Sequence, residues 1–185
     1  TDRSMLPHAL ARTAEDRGFE SYWCSEHSNI PVERRTPYPA GGDLPEEYKR
    51  SLDPFIALAT AAASTSKIKL GTSVCLLIQR DTIITAKECA SLDLVSRGRL
   101  VLGVSGGWNA QEMENHGTRV QQRVGKLREQ VLALKRIWTA GAADFRGEHV
   151  SFAPIWSWPK PSQKPHPPIL LGGMSHHCRQ RVVDY

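Results

Sequence analysis

The stretch RLVLGVSGGWNAQE, Arg99 to Glu112, constrains the fold more than any other part of this 185-residue chain. Leu100 to Val104 are apolar and partly β-branched, which reads as a buried strand. Ser105, Gly106 and Gly107 then make a turn, and Trp108 and Asn109 lead into helical sequence. A strand that ends in paired glycines before a helix brings bare backbone N–H groups close to whatever lies above the sheet. Such a turn seats an anionic or flat polar ligand; the same glycines also meet the steric needs of a tight strand-to-helix turn. The rest of the chain decides between these readings.

In chain order, Leu6, Leu10 and Ala14 share one helical face, and Gly18 follows as a C′ residue. Phe19 to Cys24 alternate as a strand and end in Ser25, Glu26 and His27. A Pro- and Gly-rich loop over 28–50 is too long for a simple connector and suits a binding loop or lid. Asp53 and Pro54 give an N-cap followed by proline at N1, opening an Ala-rich helix to about Thr65. Ile68 to Leu77 read as a buried strand. Asp81 caps a helix with Ile84, Lys87, Glu88 and Leu92 at helical spacing. A longer helix over 122–138 places Val124, Leu127, Val131, Leu134 and Trp138 on one stripe. Phe145 to Phe152 read as a hairpin turning near Arg146 and Gly147. The proline-dense run from Pro154 to Pro168 excludes a helix or an inner strand. Ile169 to Gly173 repeat the pattern of a buried strand ending in paired glycines.

Strands alternating with helices in units of about 30 residues predict a parallel sheet with crossover helices, met in a (β/α)8 barrel or a doubly wound sheet. No G-x-G-x-x-G fingerprint is present, which disfavours a Rossmann dinucleotide site. Four scattered cysteines without a C-x-x-C pair argue against a metal site and against a disulfide scaffold, and with neither a signal-peptide pattern nor a membrane span in the sequence a cytoplasmic location is expected. His176 and His177 are adjacent, so their side chains do not converge, and no third ligand accompanies them. The net charge of +5 is spread out, and its densest cluster (Arg119, Arg123, Lys126, Arg128) falls on one helix. A solvated helix face accounts for that cluster, so no nucleic-acid partner is expected. No apolar run approaches the ~20 residues of a membrane span.

Seven motifs, in order, carry a resemblance to a known family: Glu20–His27, Leu70–Leu77, Ala86–Asp93, Arg97–Arg99, Gly103–Asn109, His116–Gly117 and Pro165–Gly173. Together they resemble the bacterial luciferase-like flavin and deazaflavin oxidoreductases, most of all the coenzyme F420-dependent branch. The resemblance implies an α/β fold, a partial (β/α)8 TIM-barrel lacking the family's first strand and last strands. Residues 1–185 are then a single incomplete luciferase-like domain, with a long loop at 28–50 and a hairpin and Pro-rich insertion at 143–168. Unpaired strand edges call for a covering partner, and a homo-oligomer is expected.

The resemblance also implies roles. His27, at a strand end on the C-terminal face, would donate or accept a proton near the hydride-transfer carbon, with Glu26 orienting it. Ser73, Val74 and Cys75 match the strand that carries a non-proline cis peptide behind the ring in the deazaflavin branch; an ordinary core strand is the other reading. Gly106, Gly107, Trp108 and Asn109 would meet the polar edge of the ring. Trp108 stands where the sugar-phosphate dehydrogenase branch has a glutamate, so neither that acid–base arrangement nor that substrate carries over. Gly172 and Gly173, before Met174 and Ser175, match a phosphate-binding turn. The implied activity is hydride transfer between F420 and a small-molecule substrate. FMN-dependent monooxygenation and a catalytically silent partial barrel are the alternatives.

Overall fold

A computed structural model describes residues 1–173 and 177–185. Met174, Ser175 and His176 lie outside the described residues, and with them the expected start of the phosphate-binding helix and one histidine of the adjacent pair. The chain begins with helix α1 (Pro7–Asp16), strand β1 (Ser21–Cys24), helix α2 (Pro54–Ser64), strand β2 (Lys69–Thr72), helix α3 (Thr82–Val95) and strand β3 (Leu100–Val104). Helix α4 (Ala110–Asn115), helix α5 (Arg123–Thr139), the hairpin strands β4 (Ala143–Arg146) and β5 (Ser151–Ile155), strand β6 (Ile169–Leu171) and helix α6 (His177–Asp184) follow. Strands β1, β2, β3 and β6 lie side by side in that order, every neighbouring pair parallel. Helices α2 and α3 are the crossovers between successive strands. This is the α/β architecture of a partial (β/α)8 barrel.

Local chemistry sets the element ends. Asp53 accepts the Ile56 N–H at 2.9 Å and Asp81 the Ile84 N–H at 2.8 Å, so both expected N-caps form. Leu58, Leu70, Leu100 and Leu102 are fully buried where the helices meet the sheet, each contributing roughly 1.5–3 kcal/mol of hydrophobic stabilisation. On α5 the expected stripe is buried at Leu127, Val131, Leu134 and Trp138, while Val124 in the first turn stays partly exposed. Three expectations shift. On α1 the buried positions are Pro7 and Ala11; Leu10 is exposed and borders the cavity described below. On α3 Ile84 is exposed, and the buried face runs through Ala86, Cys89, Ala90 and Leu92. Pro154 falls inside β5, a strand paired on one side only, where a missing N–H is tolerated.

The expected strand Ile68–Leu77 is shorter than its apolar run. Regular pairing stops at Thr72, the Ser73–Val74 peptide is cis, and Cys75 rejoins β3 as a bridge to Val104. Between the pairs Gly71–Val101 and Cys75–Val104, this strand holds one residue more than β3, which makes a bulge. Gly103 is what lets the bulge approach: a Cβ there would fall 2.1 Å from the Thr72 carbonyl oxygen. The Thr72 hydroxyl donates to the Gly103 carbonyl at 2.7 Å, and the Cys75 N–H donates to the same oxygen at 2.7 Å.

Candidate active site

The C-terminal ends of β1, β2 and β3 open into a cavity of about 690 Å³, within the range of small-molecule and cofactor sites. His27, Tyr48, Ser73, Val74, Ser105, Gly107, Trp108 and Gly173 are among its lining residues. The chain reaches it in three ways: past the end of β1, through the bulge after β2, and through the glycine turn after β3. The loop 28–50 adds Tyr48 from a single 3-10 turn, Glu46–Arg50.

His27 is the centre of the polar arrangement. Its Nδ1 lies 2.9 Å from one carboxylate oxygen of Glu112 and 3.1 Å from the other. Both side chains are largely withdrawn from water, 8 % exposed for His27 and 1 % for Glu112. Among the described residues its Nε2 has no hydrogen-bond partner. A carboxylate only accepts hydrogen bonds, so the contact sets the Nδ1–H toward Glu112 and leaves Nε2 as the ring nitrogen without a partner. The His27 ring is 5.0 Å from the Tyr48 ring and 6.0 Å, edge-on, from Trp108. Tyr38 completes the cluster, 5.3 Å from Tyr48 and 6.0 Å from Trp108. The hydrogen bond between the Tyr38 and Tyr48 hydroxyls, helped by burial, raises the Tyr48 pKa. Burial raises that of Tyr22, which also lines the cavity.

Glu26 does not orient His27. Its carboxylate accepts the Leu76 N–H at 2.6 Å and the Arg80 Nε–H at 2.6 Å. Successive residues of an extended chain point to opposite sides, so Glu26 faces the bulge while His27 faces α4. Arg80 also bonds Asp53 and Glu88, and its guanidinium lies over the Phe55 ring. Burial opposes the Arg80 charge, but the Glu26 and Asp53 carboxylates outweigh it and the pKa is raised. At Glu88 the balance is reversed: burial raises its pKa despite Arg80. Burial, with the Glu26 charge behind it, holds the Cys75 thiol well above its usual range. Cys75 is buried beneath the cavity and is not one of its lining residues.

The other expected residues divide. Ser73, Val74, Gly107, Trp108 and Gly173 reach the cavity; Gly106, Asn109 and Gly172 are not among its lining residues. Gly106 backs onto Arg123 at the start of α5. Asn109 is buried, and neither atom of its amide has a partner among the described residues. Gly172 packs between Val74 and Ser105. The glycine amides are also less free than the sequence suggests. The Gly172 N–H donates to Val104 at 2.8 Å, and the Gly107 N–H donates to the Ser105 hydroxyl at 3.1 Å. Gly107 has φ +71°, so its contribution is close backbone approach. Glu112, Tyr38, Tyr48 and Arg80 were not singled out in the sequence. Glu112 closes the Arg99–Glu112 stretch, where its one sequence signal is a carboxylate set beside apolar Met113 in a short helix.

Among the described residues, no group of three or more His, Cys, Asp or Glu side chains is placed to hold a metal ion. No described helix is long and apolar enough to cross a membrane.

A parallel α/β barrel segment carries a shielded histidine–carboxylate pair and aromatic walls at the C-terminal face of its strands, the face where barrel folds hold their sites. The luciferase-like monooxygenase family model matches residues 8–184, and the chain belongs to that family. It is 45% identical over 175 residues to an uncharacterized protein of Mycobacterium tuberculosis, covering 93% of this chain and 62% of that one. It is 28% identical over 177 residues to the oxygenase component of the flavin-dependent trigonelline monooxygenase of Acinetobacter baylyi, covering 95% and 44%. To the F420-dependent glucose-6-phosphate dehydrogenase of Amycolatopsis mediterranei it is 27% identical over 178 residues, covering 92% and 48%. The crystal structure of monooxygenase RslO1 from Streptomyces bottropensis superposes with a TM-score of 0.76 at 28% identity, covering 90% of this chain and 46% of that one. The chain thus spans 62% of the mycobacterial relative and less than half of the other three. The family contains both flavin- and F420-dependent oxidoreductases.

Proposed function

We propose that this cavity takes the flat ring of coenzyme F420 and that the protein transfers hydride between that cofactor and a small organic substrate. The observation that carries the reading is the His27–Glu112 pair, a shielded imidazole fixed at Nδ1 and unpartnered at Nε2, on the wall of the cavity. Hydride chemistry on an organic substrate leaves a proton to be given or taken, and a positioned imidazole does this near pH 7.

The residues present fit such a group. The cavity is large enough for a tricyclic ring, Trp108 and Tyr48 give it flat walls, and Ser73 and Val74 border it from the bulge. When bound, the deazaflavin supplies the carbon that carries the hydride. The chain's own residues do the rest. Glu112 holds the ring orientation and tautomer of His27 and stabilises the imidazolium when Nε2 takes a proton. Gly107 and Gly173 let the backbone come close, and Tyr38, Tyr48 and Trp108 exclude water from around His27. Small-molecule substrate binding and assembly with a second copy of the chain belong to the same proposal.

A second reading, FMN-dependent monooxygenation, is favoured by the trigonelline monooxygenase relative, whose identity to this chain matches that of the F420-dependent one. Titrating the 185-residue chain with F420 and, separately, with FMN separates the two. Micromolar F420 binding with much weaker FMN binding supports hydride transfer from deazaflavin. The reverse preference overturns it in favour of flavin chemistry. A folded sample that binds neither overturns both and leaves a silent barrel fragment.

A further inference from the structure

We propose that Gln111 and Thr36 are positioning residues that make loop closure and the setting of His27 one event. Helix α4 has only six residues, too few to be stable in isolation. Asn109, at its N-cap, makes no side-chain capping bond. The loop supplies the cap in its place: the Thr36 hydroxyl accepts the Ala110 N–H at 3.2 Å, satisfying one of the open donors of the first turn. In return, the side-chain oxygen of Gln111 accepts the Arg35 N–H, the Thr36 N–H and the Thr36 hydroxyl, at 3.0, 3.0 and 3.1 Å. Farther along, Asn115 donates to Asn29 at 2.9 Å, and the His116 ring meets the Ser28 hydroxyl at 2.7 Å.

The next residue after Gln111 is Glu112, which holds His27. The loop that covers the site therefore builds the helix that carries the carboxylate. Opening the loop at Thr36 removes the cap of α4 and loosens Glu112, so Nδ1 of His27 loses its fixed partner. Closing it restores both. The same loop brings Tyr38 and Tyr48 against Trp108 and His27, so water is excluded when the pair is set. The functional part of this inference rests on the reading of His27 as the proton-exchanging residue. The structural coupling does not, and it is measured without turnover.

The test uses the full chain and three variants: Thr36→Val, Gln111→Met and Gln111→Glu. The first two keep shape and lose the polar contact; the third keeps acceptor oxygens. Trypsin cuts after Arg34 and Arg35, next to the amides that Gln111 holds. Cleavage there is expected to rise about tenfold in Thr36→Val and Gln111→Met and to return toward wild type in Gln111→Glu, in line with the loss and retention of hydrogen bonds in a locally opening segment. In parallel, the hydrogen-bonded Nδ1–H signal of His27 in NMR spectra is expected to weaken in the same two variants and to persist in the third. Unchanged circular dichroism confirms that each variant is folded. Faster cleavage with an unaltered His27 signal would overturn the coupling, and so would unaltered cleavage. F420 or FMN binding can fail independently of either result, which separates a failed cofactor reading from a failed coupling.

Discussion

The two ends of the parallel sheet use polar groups in opposite ways. At the end where the strands begin, Glu15, Arg99 and Asp93 are fully engaged with backbone and side-chain partners. Glu15 collects the N–H groups of Ser66, Lys67 and Ile68 at 2.7 to 3.1 Å. Arg99 donates to the carbonyls of Ser96, Ile68, Ala62 and Thr65 and to the Thr65 hydroxyl. Asp93 accepts from both the backbone and the side chain of Gln163. At the end where the strands finish, Nε2 of His27 is unpartnered among the described residues, and the Asn109 amide, Gln79 Nε2 and Arg34 Nη1 are buried without partners; Gln130 Oε1 and the Tyr185 hydroxyl, against the outer helices, are the others. Satisfied buried polar groups hold a fold, whereas unsatisfied ones are a standing cost that persists where function requires it. The difference teaches which end is scaffold and which is site.

The largest expected effect breaks the site end alone. His27→Ala lowers turnover by about 10²- to 10⁴-fold, the usual yield of general acid–base catalysis, and lowers urea stability by about 1–3 kcal/mol because Glu112 is left buried without its partner. Gly103→Ala acts where the ends meet: its Cβ overlaps the Thr72 carbonyl, so the bulge must move at a cost of about 3 kcal/mol or more. Urea unfolding measures that cost, and cofactor affinity falls with it because Ser73 and Val74 shift. Arg99→Met breaks the scaffold end. It leaves four carbonyls short of a donor, and a loss of about 3 kcal/mol in urea unfolding is expected, with cofactor affinity per folded molecule unchanged.

The smallest effect is a pH dependence at the scaffold end. Partial burial pushes the Glu15 pKa up, but the backbone N–H groups of Ile68, Lys67 and Ser66 outweigh it and lower the value from 4.5 to about 2. A depressed carboxylate stabilises the fold above its unfolded pKa and loses that contribution as pH falls from 4.5 toward about 2. After allowance for solvent screening, the contribution is about 1–2 kcal/mol. Glu15→Gln should therefore lower stability at pH 7 and flatten its decline between pH 5 and pH 2 in acid unfolding curves.

Much of the scaffold was legible because local chemistry determines it. The Asp53 and Asp81 caps, the Leu100–Val104 strand and the α5 stripe depend on neighbours a few residues away in sequence. His27 was legible from its place at a strand end. Its partner was not: Glu112 lies 85 residues away, and Glu26 stood next to His27 in sequence but faces the other side. Tyr38 and Tyr48 belong to a loop without periodicity, so only the closed loop shows that they reach Trp108. The glycine amides at 107 and 172 looked free because their acceptors, Ser105 and Val104, are set by the turn and the neighbouring strand.

The contrast between the two ends is tested most directly by hydrogen–deuterium exchange on the intact chain, with and without saturating F420 or FMN. The expected footprint is slower exchange in the loop 28–50, at Ser73–Val74 and at Gly107–Trp108, with no change at Ser66–Ile68 or around Arg99. A footprint at the strand-starting end, or binding that leaves the loop and Gly107–Trp108 untouched, would contradict the assignment of one end to the site and the other to the scaffold.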